Sequence, residues 1–142
     1  MLVEVLSVLI ITIAAVVGMI NFKDYINRSE ALNAMRELGQ IILEYKQRNH
    51  KVPPQSLVIK RRGQLKGGVR LSDLRYRGLW IGLDADPNEI LAYAEKSYPS
   101  SFLNDGYIVL QLDGTVRWMG KKEFDQLLAQ QQTELEMEMT GP

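Results

Sequence analysis

MLVEVLSVLIITIAAVVGMI (residues 1–20) runs straight into NFKDYINRSEALNAMRELGQIILEYKQRNHKVPP (residues 21–54), and the reading of this junction decides the fold. The first part is apolar on every side and carries one ionisable side chain, Glu4. As a helix, Leu2 to Ile20 spans ~28 Å, close to the ~30 Å hydrocarbon core of a bilayer. Leu2, Val5, Leu9, Ile13, Val16 and Ile20 are then expected within the membrane. A secretory signal peptide would need a basic start, a shorter apolar run and a small-residue cleavage site. The first basic residue, however, is Lys23, and Ala14-Ala15 falls in mid-run. A core helix apolar on all faces would have to be surrounded, which a chain of 142 residues can hardly do. Membrane insertion is the expectation.

Glu4 admits two readings. An acid in the first helical turn is favoured by the macrodipole and can reach the interface, which requires no function. Alternatively, many copies pack side by side, and the α-amino group of one chain meets the Glu4 of its neighbour.

Past Ile20 the pattern becomes amphipathic. Leu32, Met35, Leu38 or Gly39, Ile42 and Tyr45 recur at three- and four-residue spacing, with Arg36, Glu37, Glu44 and Lys46 on other faces. Asn49-His50 suits a helix end and Pro53-Pro54 forbids continuation, so one helix is expected from about residue 2 to about residue 49, ~70 Å long. Gly18 and Gly39 are its weak points. The apolar stripe is expected to pack against a following sheet.

The remainder allows one small domain. There are no cysteines, so disulfides and thiolate metal sites are excluded and the redox compartment is not encoded. The 17 basic and 17 acidic residues cancel, which gives bulk charge no bias toward nucleic acid. His50 is the one histidine and reads as a polar helix-end residue. With no second His, no G-x-S-x-G and no Gly-Lys-Thr, the usual nucleophile and metal constellations cannot be assembled, and no enzymatic role is expected.

The run KRRGQLKGGVRLSDLRYRG (60–78) holds seven basic residues against Asp73 and reads as a turn-rich cationic loop over 60–77. Its glycines fit no phosphate-cradling loop. Lys60, Arg61, Arg62, Lys66 and Arg70 are the candidates for contact with an anionic partner, since clustered cations bind phosphate by releasing counterions. The acidic stretch Glu123, Asp125, Glu134, Glu136, Glu138 is complementary, and head-to-tail pairing between copies is one expectation. LWIGLDADPNEILAYAEKSYP (79–99) reads as a strand over Leu79–Leu83, a polar turn and a strand over Ile90–Ala94. Asp84 and Asp86 resemble the opening of a calcium loop, but Glu89 takes the place of the required glycine, leaving calcium a weak candidate cofactor and no other metal expected. DGYIVLQLDGTVRWMG (105–120) reads as a hairpin closed by Asp113-Gly114. A two-residue turn sets Leu112 opposite Thr115, Leu110 opposite Arg117 and Val109 opposite Trp118, with Val109, Val116 and Trp118 on the face covering the helix. Phe124, Leu127 and Leu128 then mark one short terminal helix, fraying into the tail.

The segments LVEVLSVLIITIAAVVGMI (2–20) and ALNAMRELGQIILEYKQRNHKVPPQSL (31–57) together resemble the N-terminal helix of type IV pilin-like proteins, in particular the pseudopilins of type II secretion systems. VLQLDGTVRW (109–118) is similar to a C-terminal hairpin found in a subset of them, with Thr115 in place of a His. The resemblance implies a helix that first anchors the subunit in the inner membrane and later forms the core of a helical filament. It also gives Glu4 the role of attracting a neighbour's N-terminal amine. Some pseudopilins bind calcium near the C-terminal sheet, which bears on Asp84 and Asp86. Family precursors carry a basic leader ending in Gly, and the mature form has four residues before the glutamate, whereas three precede Glu4. A start internal to a longer precursor is one expectation; the other is a form without leader processing. Asn21 stands about where many relatives have a helix-bending Pro.

The expected architecture is α+β and pilin-like. Residues 1–21 form the transmembrane and assembly half of the helix. Residues 22–142 form the globular domain, with amphipathic helix 22–50, sheet region 57–120 and C-terminal helix 121–136. The expected function is a structural subunit of a pilus-like or pseudopilus filament, single-pass in the bacterial inner membrane, with the domain in the periplasm or in an extracellular filament. Expected partners are copies of itself or other pilin-like subunits, membrane lipid and the secretion or pilus assembly machinery. The alternative is a non-polymerising tethered protein whose basic loop engages an anion such as nucleic acid. Lys23 and Arg28 after the span favour that alternative, because positive residues tend to stay cytoplasmic.

Overall fold

The computed structural model describes residues 1–141. Helix α1 covers Leu2–Asn49 in one piece and ends where His50 turns left-handed (φ 51°), its N–H bonding the Lys46 carbonyl at 2.9 Å. Pro53 and Pro54 follow, and Pro54 caps helix α2, Gln55–Gln64. A 3-10 turn at Gly68–Leu71 leads to strand β1, Arg75–Tyr76. Strands β2 (Ile90–Lys96), β3 (Gly106–Gln111) and β4 (Val116–Gly120) complete an antiparallel sheet of order β1-β2-β3-β4. Two short helices close the chain, α3 (Lys121–Gln131) and α4 (Glu134–Thr140). The molecule is thus α+β, a long N-terminal helix with a four-stranded antiparallel sheet laid on its second half.

The sheet has two covered faces. Toward α1 it presents Leu91, Ala92, Ala94, Ile108 and Leu110, which meet Ala31, Ala34, Met35, Leu38 and Ile42; of the stripe read from the sequence, Met35, Leu38, Gly39 and Ile42 are buried, while Leu32 and Tyr45 are half-buried at its margins. Toward α3 it presents Ile90, Val109 and Met119, which close over Phe124. Tyr93 and Tyr107 pack on the same ring, Tyr107 stacked at 3.8 Å between centroids. A bulge between Ile90 and Ala92 re-phases β2, so that the consecutive residues Leu91 and Ala92 both serve the α1 face while Ile90 serves the other. Gly39 sets the approach of helix to sheet: a Cβ there would stand 2.8 Å from Leu110 Cδ1 and 3.4 Å from the Gly114 carbonyl oxygen.

Four sequence expectations are corrected. The hairpin closes with three residues, Leu112, Asp113 and Gly114, not two. Gln111 pairs with Thr115, and Thr115 N–H donates to Asp113 Oδ1 at 2.9 Å. Gly114 takes φ 89°, the positive-φ position of the three-residue loop. Pairing is therefore Ile108 with Trp118, Val109 with Arg117 and Leu110 with Val116. That one-residue slip moves Val109 to the α3 face and leaves Ile108 and Leu110 on α1. Next, Leu79–Leu83 forms turns between glycines, Trp80 N–H bonding Arg77 and Ala85 N–H bonding Gly82; β1 takes the strand's place beside β2. The sheet accordingly starts at Arg75, and α2 takes residues 57–64 out of the expected sheet region and 60–64 out of the expected cationic loop. Finally, the tail does not fray after one helix. Thr133 accepts from Glu136 N–H and starts α4, whose Glu136 is buried.

Candidate functional site

The first four turns of α1 have no cover. Leu2, Val5, Leu9, Ile13 and Val16 are all exposed, Leu2 at 84% and Ile13 at 55%; Ile20 is half-buried, because there the domain begins. This helix is long and apolar enough to cross a membrane, and within its most apolar window nothing is buried by the rest of the chain. Its few polar groups are satisfied internally. Ser7 Oγ donates to the Val3 carbonyl at 2.7 Å, and Thr12 Oγ1 to the Val8 carbonyl at 2.8 Å. Such i to i−4 bonds leave no hydroxyl proton without an acceptor in hydrocarbon. The sequence reading passed over both residues, although a lone Ser or Thr in an apolar helical run is itself the signal.

Glu4 is the exception. Its carboxylate lies 3.8 Å from the Met1 ammonium of the same chain, with both groups exposed. Cation and anion thus sit together at the tip of an apolar rod. An acid there complements the exposed N–H groups of the first turn.

The five basic candidates do not form one patch. Lys60 and Arg61 are exposed on α2, and Lys66 is exposed beyond its end. Arg62 turns inward, donating to the Leu71 and Ser72 carbonyls at 3.3 and 3.2 Å. Arg70 pairs with Glu30 of α1 at 3.0 Å. Its own carbonyl accepts from Lys96 Nζ, and burial of that amine lowers the Lys96 pKa. Arg28, counted above as a charge flanking the span, lies over the Trp118 ring at 3.6 Å from its centroid. Asp84 and Asp86 are exposed in the polar turn, where Asp86 Oδ1 accepts from Asn88 N–H at 2.8 Å. Among the described residues no group of three or more His, Cys, Asp or Glu side chains is placed to hold a metal ion.

Where a pairing of basic run with acidic tail was expected between copies, one residue of each meets within the chain, in a place sequence spacing did not indicate. Arg77, 4% exposed, forms a two-pronged bond to Glu136, 1% exposed, with Nε–Oε1 at 2.6 Å and Nη2–Oε2 at 2.9 Å. Arg77 Nη1 also donates to the Ile90 carbonyl at 2.6 Å, and Gln131 Oε1 accepts from Ile90 N–H at 2.8 Å. This network ties α4 to the bulged start of β2. It is structural: two charges withdrawn from water survive only when their hydrogen bonds are met. Glu123, another acid of that tail, pairs with Arg117 at 3.6 Å. Burial withdraws Arg77 and Glu136 from any pairing between copies, whereas Glu123 remains exposed.

The uncovered half of α1 is therefore the surface that calls for a partner. No family model matches the chain, and no curated protein or solved structure is found similar to it.

Proposed function

We propose that this chain is a membrane-anchored filament subunit of the type IV pilin-like kind, held in the inner membrane by Leu2–Ile20 before assembly and bundled through the same surface afterwards. The observation that carries the reading is the division of α1: one continuous helix, its second half buried under a sheet and its first half bare and apolar. Each large apolar side chain left in water forfeits ~1.5–3 kcal/mol, so a surface this long must be covered by lipid or by protein. Lipid alone accounts for the apolar residues. The carboxylate at the tip adds the second element, because a bundle of such helices can bury it only beside a cation. Each chain brings that cation in its own N-terminal ammonium, and in the assembled state the partner is the next subunit's. The domain lies on the periplasmic side, where secretion or pilus machinery engages it.

Glu4→Val tests this in cells that make the wild-type filament. Membrane partition should be unchanged, since the span becomes more apolar. Subunit addition should weaken by on the order of a hundredfold, the effect of stranding one charge of a buried pair at ~3 kcal/mol. The measurement is filament mass recovered by shearing and sedimentation, beside membrane fractionation. Filaments at wild-type yield would refute the assignment to Glu4.

A tethered anion-binding protein is the second reading, favoured by the exposure of Lys60, Arg61 and Lys66. It loses Arg62 and Arg70, which are engaged within the fold.

A further inference from the structure

Phe102 is 84% exposed, and its height along α1 is fixed. Its backbone N–H donates to Asn21 Oδ1 at 2.8 Å, and Asn21 Nδ2 donates in turn to the Val17 carbonyl at 2.8 Å. Asn21 directly follows the apolar run that ends at Ile20. The segment 97–105, which joins β2 to β3, thus descends beside α1 to the last turn of the span. Its conformation is tied down at several points. Asp105 accepts from Tyr98 N–H at 2.6 Å and from the Ser97 hydroxyl at 3.3 Å, and Leu103 N–H donates to Ser101 Oγ at 3.0 Å. The Tyr98 ring stacks on Trp118, the ring that carries Arg28. Phe102 is therefore presented outward by an ordered loop, and no intrachain packing covers it. On α1 at the same level, Met19, Phe22 and Tyr25 are also exposed, at 71%, 65% and 62%.

We propose that this loop is a second membrane contact, with Phe102 seated beside Phe22 and Tyr25 at the boundary between headgroups and acyl chains. The partner is a lipid surface, and the argument is continuity: the loop is bonded to the residue where the apolar span stops. Aromatic rings are favoured at this depth, where one side is apolar and the other wet. A helix alone leaves its domain free to spin about the helix axis. A ring bound on one side removes that freedom and sets which face of the domain rests on the membrane. The inference rests on Leu2–Ile20 being a span, so the test reads the two separately.

The chain has no cysteine, so single cysteines can carry an environment-sensitive fluorophore. Full-length Phe102→Cys, Ile10→Cys and Leu79→Cys, each labelled with nitrobenzoxadiazole, are reconstituted into phosphatidylethanolamine/phosphatidylglycerol vesicles containing lipid doxylated near the headgroup or deep in the chain. Leu79 is the exposed control away from the span. The label at 102 should be blue-shifted and lose roughly half its emission to the shallow quencher, as expected for a ring in the interface. The label at 10 should respond to the deep quencher and the label at 79 to neither. A second variant, Phe102→Glu with the label at Ser100→Cys, should lose the shallow quenching while the label at 10 is unchanged. If position 102 is as wet as position 79 while position 10 is quenched, the loop contact is overturned and the span stands. If position 102 is shielded from aqueous iodide yet insensitive to doxyl lipid, a second copy covers it, which also overturns the proposal. If position 10 is unquenched, the span itself fails, and the loop contact with it.

Discussion

Tyr76 stands where β1 meets the end of α1, its ring against the core and its hydroxyl donating to the Pro53 carbonyl at 2.6 Å. Burial, and secondarily the neighbouring Tyr45, hold its phenol well above the ordinary 10.0. The folded chain keeps this proton at pH values where the unfolded chain has released it. The resulting stabilisation is complete below pH 10.0 and is lost as pH rises through the folded value. Burial raises Tyr93, Tyr98 and Tyr107 in the same sense; the lowered Lys96 has the opposite sign and partly offsets them. Tyr76→Phe should cost ~1 kcal/mol at neutral pH, one hydrogen bond's net worth, and should flatten the alkaline loss. Urea midpoints of the full chain in detergent micelles between about pH 8 and about pH 11 measure both; an unchanged alkaline slope would remove Tyr76 from this role. The exposed apolar run of α1 and its lone acid were legible singly, because both are local facts. Arg77 was not. In one dimension it is one of seven basic residues, and its partner lies 59 positions away.

Helix α4 has seven residues and one buried side chain, Glu136. An isolated helix so short does not persist in water, so its bond to Arg77 supplies what local propensity cannot. Glu136→Ala should destabilise the domain by ~3 kcal/mol, because the buried guanidinium loses its two-pronged partner and keeps as anion only the more distant Glu89 carboxylate at 3.8 Å. The pair Arg77→Met/Glu136→Leu should restore most of that loss, and limited proteolysis near Gln132-Thr133 should be rapid in the single variant and slow in the double. Equal stability of single and double variants would show that the stranded guanidinium is not the source of the loss. At this scale the sequence was readable where termination is chemical: Pro53-Pro54 ended α1 within a residue or so of the expected place. It was ambiguous where termination is geometric. Asp113-Gly114 serves two- and three-residue loops alike, and only the pairing of Gln111 with Thr115 selects between them. The apolar run Leu79–Leu83 had strand composition, but the place beside β2 is taken by β1.

At the scale of the whole molecule, the change of period at Ile20 to Asn21 divides the chain into a rod and a domain, and this was visible because composition and periodicity are written along the chain. The placement of the 97–105 loop against that division depends on strand register and could not be read. The two functional readings put the domain on opposite sides of the membrane. A filament subunit should have its C-terminus in the periplasm, so alkaline phosphatase fused after Pro142 should be active and β-galactosidase inactive. The reverse pattern would favour the anion-binding alternative. One mechanical property follows from α1 being a single continuous helix that neither Gly18 nor Gly39 interrupts. In the proposed membrane-anchored state it is a lever with its fulcrum at the bilayer surface. A lean of ~20° swings the end near His50, ~43 Å beyond Ile20, through ~15 Å. In that proposed state, a force on the domain reaches the apolar stem through one rigid arm, with no hinge to absorb it.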